Sequence, residues 1–293
     1  MSAADLVADT IVRADAERAG RYHLELPNHW DYLRPSGGVV MTCALRAAEA
    51  AVGDAELRLA SATAIFCTPI ESGALVADAR VLRRGGATVQ VHVTMQHPGA
   101  EAGVELTATF CRERKGPDVK CVPFPRVRAL ADSPEANDGE SNNPHARFRF
   151  YQQLECRIAE GERYWTQGLV PGPARYARWL RYKTQPRDSL GRLDRLALPP
   201  LIDTMPTALH RAIGPGPYRF YAPSLDLTTY TVDDTTREWL LVAITVRRAR
   251  AGWAIGDVEV WDDEGRFIAW GSQAMYLQSV AGEPPVIDAS QRT

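Results

Sequence analysis

The sequence predicts an α+β fold of two tandem repeats, in each of which a long antiparallel sheet wraps around a central helix. Three observations carry this. An apolar, alanine-rich run over 39–52 precedes four strand-like segments, and a second apolar run over 199–213 precedes four more. Those segments alternate: Val89, Val91 and Val93 are interleaved with Gln90, His92 and Thr94, as in a strand with one buried face. The halves also align. Setting Ala44-Leu45 on Ala208-Leu209 gives an offset of 164 (208 − 44), which carries Val39 to Asp203 and Thr109 to Gln273.

The first unit spans 1–112. Residues 4–18 are expected to form a short amphipathic helix with Leu6, Val7, Ile11 and Val12 on one side, and 21–26 a strand. Residues 28–31 and 35–38 read as loops. Ser36, Gly37 and Gly38 lead into the buried helix, which Gly53 closes. Strands are expected over 57–68, 73–84, 87–96 and 105–112, with turns at Arg84-Gly85-Gly86 and Pro98-Gly99.

Residues 113–146 carry Pro117, Pro123, Pro125 and Pro134 ahead of Asp138-Gly139-Glu140-Ser141-Asn142-Asn143-Pro144, and read as a linker disordered in part between 131 and 144. The second unit, 147–280, opens with strands at 148–151 and 176–182. A helix follows over 199–213, entered through Pro199-Pro200 and closed by Gly214. Strands then run over 218–232, 238–248, 252–261 and 266–277, with a hairpin turn at Asp262-Asp263-Glu264-Gly265. A Pro-rich tail, 281–293, is expected to be loosely attached.

Composition narrows the function. A chain of 293 residues with net charge −2 has no overall basic field to draw nucleic acid or an anionic membrane. No apolar run approaches the roughly 18–20 residues of a membrane span. The first twenty residues lack a signal peptide's basic start and apolar core, so a cytoplasmic protein is expected. The five cysteines (Cys43, Cys67, Cys111, Cys121, Cys156) are odd in number, without metal spacing or a patterned histidine, and read as free thiols. No phosphate loop or dinucleotide fingerprint is present, and neither metal nor cofactor is expected.

Three polar residues stand out against apolar surroundings. Asp203 lies at the head of the second helix run, where it suits either chemistry or a helix cap. Ser224 begins a strand segment with Asp226 and Thr228 on its face. Gln273 interrupts an otherwise core-facing strand, and its amide needs partners. An Asp, a Ser and a Gln converging on one water would make a general base with two groups orienting its substrate. His29, beside Trp30 ahead of the first helix, is a candidate for the substrate entrance or else a loop histidine. His210, two turns after Asp203, either neighbours the site or sits at the surface. Trp165, Tyr176, Trp179 and Tyr182 read as core or interface.

On these residues the second half resembles the C-terminal half of the acyl-CoA thioesterase II family, whose members have a double hot-dog fold. The resemblance places the family's Asp on Asp203 in Leu201-Ile202-Asp203-Thr204, its Thr on Ser224 in Pro223-Ser224-Leu225-Asp226, and its Gln on Gln273 in Gly271-Ser272-Gln273. Glu238-Trp239-Leu240-Leu241 and Asp263-Glu264-Gly265-Arg266-Phe267-Ile268-Ala269 support it. In the first half, Ser36-Gly37-Gly38-Val39-Val40 is similar to the family's glycine-rich approach to the first helix, and Leu82-Arg83-Arg84-Gly85-Gly86 to a strand turn. The resemblance covers roughly 20–112 and 195–278; the middle does not match closely. Ser in place of Thr keeps the hydroxyl but loses the methyl that fixes its rotamer.

The resemblance implies hydrolysis of an acyl-CoA or acyl-carrier-protein thioester without a covalent nucleophile, in a homo-oligomer. The oxyanion would sit on backbone amides of residues 203–205. Thr204, Gly37, Gly38, His29 and Trp30 are then expected to contact substrate. Two other readings stay open: a hot-dog dehydratase or hydratase, against which the absence of a histidine beside Gly38-Val39-Val40 and Ile202-Asp203-Thr204 counts, and a non-catalytic acyl-CoA-binding protein. Either way the site is expected in the second half alone.

Overall fold

The structure, a computed structural model, describes residues 3–137, 139, 142–290 and 292. In chain order, α1 (Leu6–Asp9), β1 (Arg13–Ala14) and β2 (Arg21–Leu26) lead to α2 (Gly37–Val52), followed by β3 (Leu57–Phe66), β4 (Gly73–Arg84), β5 (Thr88–Gln96) and β6 (Val104–Arg112). Then come α3 (Pro144–Arg147), α4 (Arg149–Gln152), β7 (Leu154–Glu160), β8 (Arg175–Tyr182), α5 (Pro199–Ile202) and α6 (Pro206–Ile213). The chain ends through β9 (Arg219–Tyr221), β10 (Asp226–Thr231), β11 (Leu240–Arg250), β12 (Trp253–Asp262), β13 (Phe267–Tyr276) and β14 (Gln278–Ala281).

Twelve strands form one antiparallel sheet in the order β1-β2-β4-β5-β6-β3-β10-β13-β12-β11-β8-β7, a double hot dog. The repeats join where β3 pairs with β10, with Thr63 opposite Thr228 and their hydroxyls 3.0 Å apart. Helix α2 packs on β4, β5 and β6; α6 packs on β8 and β11; α5 lies against α2, β10 and β13. Alanine-rich α2 suits this position. Val39, Val40, Met41, Cys43, Ala44, Leu45, Ala47 and Ala48 are all buried, so it is covered nearly all round. Gly53 ends it in the left-handed conformation, φ 62°.

Strand register corrects the offset between the repeats. Thr63 faces Thr107, and Thr228 faces Ser272, so Thr107 corresponds to Ser272, an offset of 165 (272 − 107). The irregularity at Val81/Arg83 recurs at Val246/Arg248, again 165 (246 − 81). Gln273 therefore corresponds to Ala108 (273 − 165), not Thr109. A shift of one residue turns a side chain to the other face of a sheet. Ala108 and Gln273 are buried, whereas Thr109 is half-buried on the opposite face.

Several expected elements differ. The helix over 4–18 stops at Asp9, because the Thr10 hydroxyl folds back onto Leu6 O at 2.7 Å and Arg13–Ala14 joins the sheet edge. Residues 148–151 fall mostly in helix α4, and the edge strand is β7 instead. Residues 218–232 are divided between β9 and β10, which belong to different sheets. The expected linker is mostly exposed up to residue 132 but packed in its second part. Ile158 N–H donates to Pro134 O at 2.8 Å, Ala136 N–H donates to Cys156 O at 2.9 Å, and Ser133, Ala136 and Asn143 are buried. Of the stretch expected to be disordered, residues 138, 140 and 141 lie outside the described residues. The tail is tied at its end, where the Arg292 guanidinium donates to Ala212 O at 2.8 Å.

Candidate active site

The helix expected over 199–213 is broken. Pro206 lacks the N–H that would continue the ladder, so α5 ends at Ile202 and α6 restarts at Pro206. Asp203 is thus the residue that caps α5 at its C-terminal end, not the head of a helix. Gly271 leaves room for this arrangement: a Cβ there would stand 2.5 Å from an Ile202 methyl carbon.

The Asp203 carboxylate caps a helix of the other repeat. Its Oδ2 accepts from Gly38 N–H and from the Ser36 hydroxyl, each at 2.8 Å. Both donors lie at the N-terminus of α2, where backbone N–H groups lack helical partners and the helix dipole favours an anion. Ser36 occupies the capping position of α2 yet gives its hydroxyl to Asp203 instead of to its own helix. Gly38 makes the approach possible, since a Cβ there would stand 2.3 Å from Pro199 O.

The other oxygen, Oδ1, accepts from the Ser224 hydroxyl at 2.8 Å and the Gln273 amide at 2.6 Å; that amide also donates to Ser224 Oγ at 2.5 Å. Ser224 is held by a single bridge to Met275, just ahead of β10, and Gln273 stands on β13 opposite Gly256. The Gln273 carbonyl oxygen is buried and has no partner among the described residues. Asp203 is 6% exposed. Burial raises its carboxyl pKa above the ordinary value; the Gly38 N–H, Ser224, Ser36 and Gln273 oppose the shift, in that order.

Beside the carboxylate opens a cavity of about 530 Å³, lined by Asp203, Thr204, Ser224, Ser36 and Gly37 together with aromatic rings. Gln273 does not line it and supports Asp203 from behind. Gly37 sits at the mouth of the triad, where a Cβ would stand 3.1 Å from Ser224 Oγ and 3.2 Å from Asp203 Oδ2.

The structure therefore brings together Asp203, Ser224, Gln273, Thr204 and Gly37; Gly38, expected to contact substrate, does not line the cavity and gives its N–H to Asp203 instead. The structure does not bring in His29 or Trp30, neither of which lines the cavity. The Trp30 indole N–H donates to Asp9 at 2.9 Å and its buried ring packs edge-on to Tyr182; His29 is exposed beside the same Asp9. An aromatic residue before a helix is as useful to a core as to an entrance. Of the residues 203–205, Asp203 N–H is committed to Pro199 O at 2.9 Å, which leaves Thr204 and Met205 as amide donors, and only Thr204 lines the cavity.

Ser36 is the contact the residues did not announce as part of the site. Its one signal is a hydroxyl just ahead of a helix that has no acidic residue in its first turn. His210 is not a surface residue. It lines the cavity between Tyr164 and Phe220, with ring centroids at 5.3 and 4.3 Å, and burial pushes its imidazole pKa down to about 4. Of the middle aromatics, Tyr176, Trp179 and Tyr182 are core, while Trp165 lines the cavity.

Two domain-family models match the chain: the acyl-CoA thioesterase N-terminal domain over residues 26–112 and the acyl-CoA thioesterase C-terminal domain over 127–277. The second match begins where the sequence alone was uninformative, in the segment that runs alongside β7. No curated protein matches in sequence. Among solved structures, a hot-dog protein of unknown function from Alicyclobacillus acidocaldarius is 20% identical, with 96% of this chain and 98% of that chain covered and a TM-score of 0.78. An acyl-CoA thioesterase II from Mycobacterium marinum is 18% identical, with 95% and 100% covered and a TM-score of 0.71. A dehydratase domain from Pseudomonas fluorescens, at 11% identity with 92% and 97% covered, has a TM-score of 0.53. At these identities the likeness speaks for the fold alone.

Proposed function

Because the chain belongs to the acyl-CoA thioesterase family, we propose that it hydrolyses acyl-CoA thioesters with Asp203 as the general base. The observation that carries this reading is the Asp203 carboxylate itself: buried, held by four donors, and open on one side to a cavity large enough for an acyl group.

Water bound on the cavity side of Asp203 and Ser224 attacks the thioester carbonyl carbon and gives a proton to the carboxylate. A raised pKa suits Asp203 to this step, since a carboxylate that is easier to protonate is a stronger base. The developing oxyanion is received by the Thr204 amide. Collapse breaks the C–S bond; the proton on Asp203 passes to the departing thiolate, and the carboxylate is restored. Ser224 orients the water. Gln273 is a positioning residue that fixes Asp203 and Ser224 relative to each other.

A free CoA thioester is the preferred substrate, with carrier-protein thioesters second. The five unpaired cysteines fit a reducing cytoplasm, and homo-oligomerisation is the expected state. The test is hydrolysis of a panel of acyl-CoAs by wild type and Asp203→Asn. The variant is expected to lose about 10²–10⁴-fold in kcat, the range of a general base. Its fold should survive, because Gln273 and Ser224 can reverse their roles as donor and acceptor to meet an amide. Equal activity in a folded variant would overturn the assignment.

A further inference from the structure

Strand β8 carries an arginine where its alternation calls for an apolar residue. Tyr176, Leu180 and Tyr182 share one face of β8 and belong to the core. Arg178 lies on that same face and is 0% exposed. Its Nη1 donates to Tyr151 Oη at 3.2 Å, and its Cζ stands 5.6 Å from the Tyr151 ring centre and 5.8 Å from that of Tyr176. Nε and Nη2 make no close hydrogen bond to N or O among the described residues, the Cys156 thiol being the other polar group beside the guanidinium, and no carboxylate there accepts a hydrogen bond from it. The nearby Cys156 is held as a neutral thiol by burial and supplies no counter-charge.

A guanidinium cannot neutralise itself by shedding a proton as a buried lysine can. Rings and one hydroxyl offset only part of the cost of taking that charge out of water. Tyr151 lines the active-site cavity, as do its neighbour Tyr32, at a ring separation of 5.4 Å, and Asp203, whereas Arg178 does not. The Tyr151 oxygen accepts from Arg178 and meets the Tyr32 hydroxyl, and with Tyr32 as the donor of that pair the Tyr151 O–H stays available to a ligand.

Resting on the thioesterase reading above, we propose that the acyl end of this cavity selects a thioester whose acyl group carries a second, terminal carboxylate, received by the Tyr151 hydroxyl with Arg178 behind it. The substrate class is the half-thioester of a dicarboxylic acid with CoA. The ligand supplies the counter-charge that the fold withholds, and the aromatic walls cover the methylenes between the carboxylate and the thioester.

The test compares matched pairs of substrates: CoA half-thioesters from succinyl to suberoyl, each against the isosteric thioester ending in an isopropyl group. Wild type is expected to favour the carboxylate member at the best chain length by about tenfold or more in kcat/KM, the worth of a hydrogen bond to a charged group. In Tyr151→Phe, which keeps the ring, that ratio should collapse toward one, mainly through KM for the carboxylate member. Arg178→Met should do the same; if it fails to fold, Tyr151→Phe still decides. A wild-type ratio of one or below at every length, or a Tyr151→Phe variant that keeps the ratio, overturns the proposal and leaves the thioesterase reading standing. A wild type inactive on every member overturns both.

Discussion

The two repeats share a sheet plan down to a matching irregularity 165 residues apart, yet their helices differ in kind. Helix α2 runs unbroken from Gly37 to Val52. Its counterpart is cut by Pro206 into α5 and α6, and Asp203 stands in the gap. The intact helix offers bare N–H groups at its start; the broken one offers a carboxylate. Each half holds what the other lacks, and the site exists only where they meet. A duplicated fold has thus placed an anion on a helix terminus without spending its own helix to do so.

That comparison can be broken at several points, and the largest effect is expected at Gly38. Gly38→Ala places a methyl 2.3 Å from Pro199 O, and backbone on both sides must move. A loss of about 3 kcal/mol in unfolding free energy is expected from overpacking at this contact, measured by denaturant titration. A variant as stable as wild type would mean that the two helices are not in tight contact there.

Ser36→Ala asks how much the first half contributes to the chemistry. It removes one donor to Asp203 while leaving the second repeat intact. A fall in kcat of about ten- to a hundredfold is expected, equivalent to one hydrogen bond to a charge. That donor favours the ionised carboxylate, so its loss raises the Asp203 pKa further and should move the acid limb of the pH–rate profile to higher pH. An unmoved limb would place Ser36 outside the titrating network.

The buried charge has its own signature in stability. Asp203 has a folded pKa above its unfolded one, so the folded state holds its proton more tightly. Its contribution favours folding at low pH and is lost as pH rises through the folded pKa. The difference in Tm between wild type and Asp203→Asn should therefore shift in favour of wild type as pH is lowered from neutral toward the ordinary carboxylate pKa of about 4. A trend of the opposite sign would mean that the four donors outweigh burial.

The smallest effect is expected at Ser224. Ser224→Thr keeps the hydroxyl that donates to Asp203 at 2.8 Å, and kcat should stay within about threefold of wild type, or about 0.7 kcal/mol. Ser224→Ala should lose clearly more, and equal losses in the two variants would place the role in side-chain volume instead of the hydroxyl.

Much of this was readable in advance, for local reasons. Alternation of Val89, Val91 and Val93 with polar neighbours marked the strand expected over 87–96, which runs from Thr88 to Gln96, because a half-buried strand must repeat every two residues. Gln273 and Asp203 announced themselves as polar groups in apolar runs. The break in the second helix was also written in the chain, as Pro206 inside an apolar stretch, but the run of apolar neighbours masked it. The edge strand β7 was harder to find, since Leu154–Glu160 is short and carries charged residues between its apolar ones. Arg178 reads, in sequence, as one of several arginines between Arg175 and Arg187.

Periodicity and the alignment of the halves therefore determined the class of fold and the two repeats, and marked the polar residues that the structure brings together. These depend on spacing along the chain, which sequence records directly. Tertiary structure alone decided which oxygen of Asp203 meets which donor, that the donors on Oδ2 come from the other repeat, and that the repeats are 165 residues apart instead of 164. The physical reason is register. Pairing between distant strands is set by a sum of many side-chain contacts, and a shift of one residue, invisible to an alignment this degenerate, moves a side chain from the core to the opposite face of the sheet.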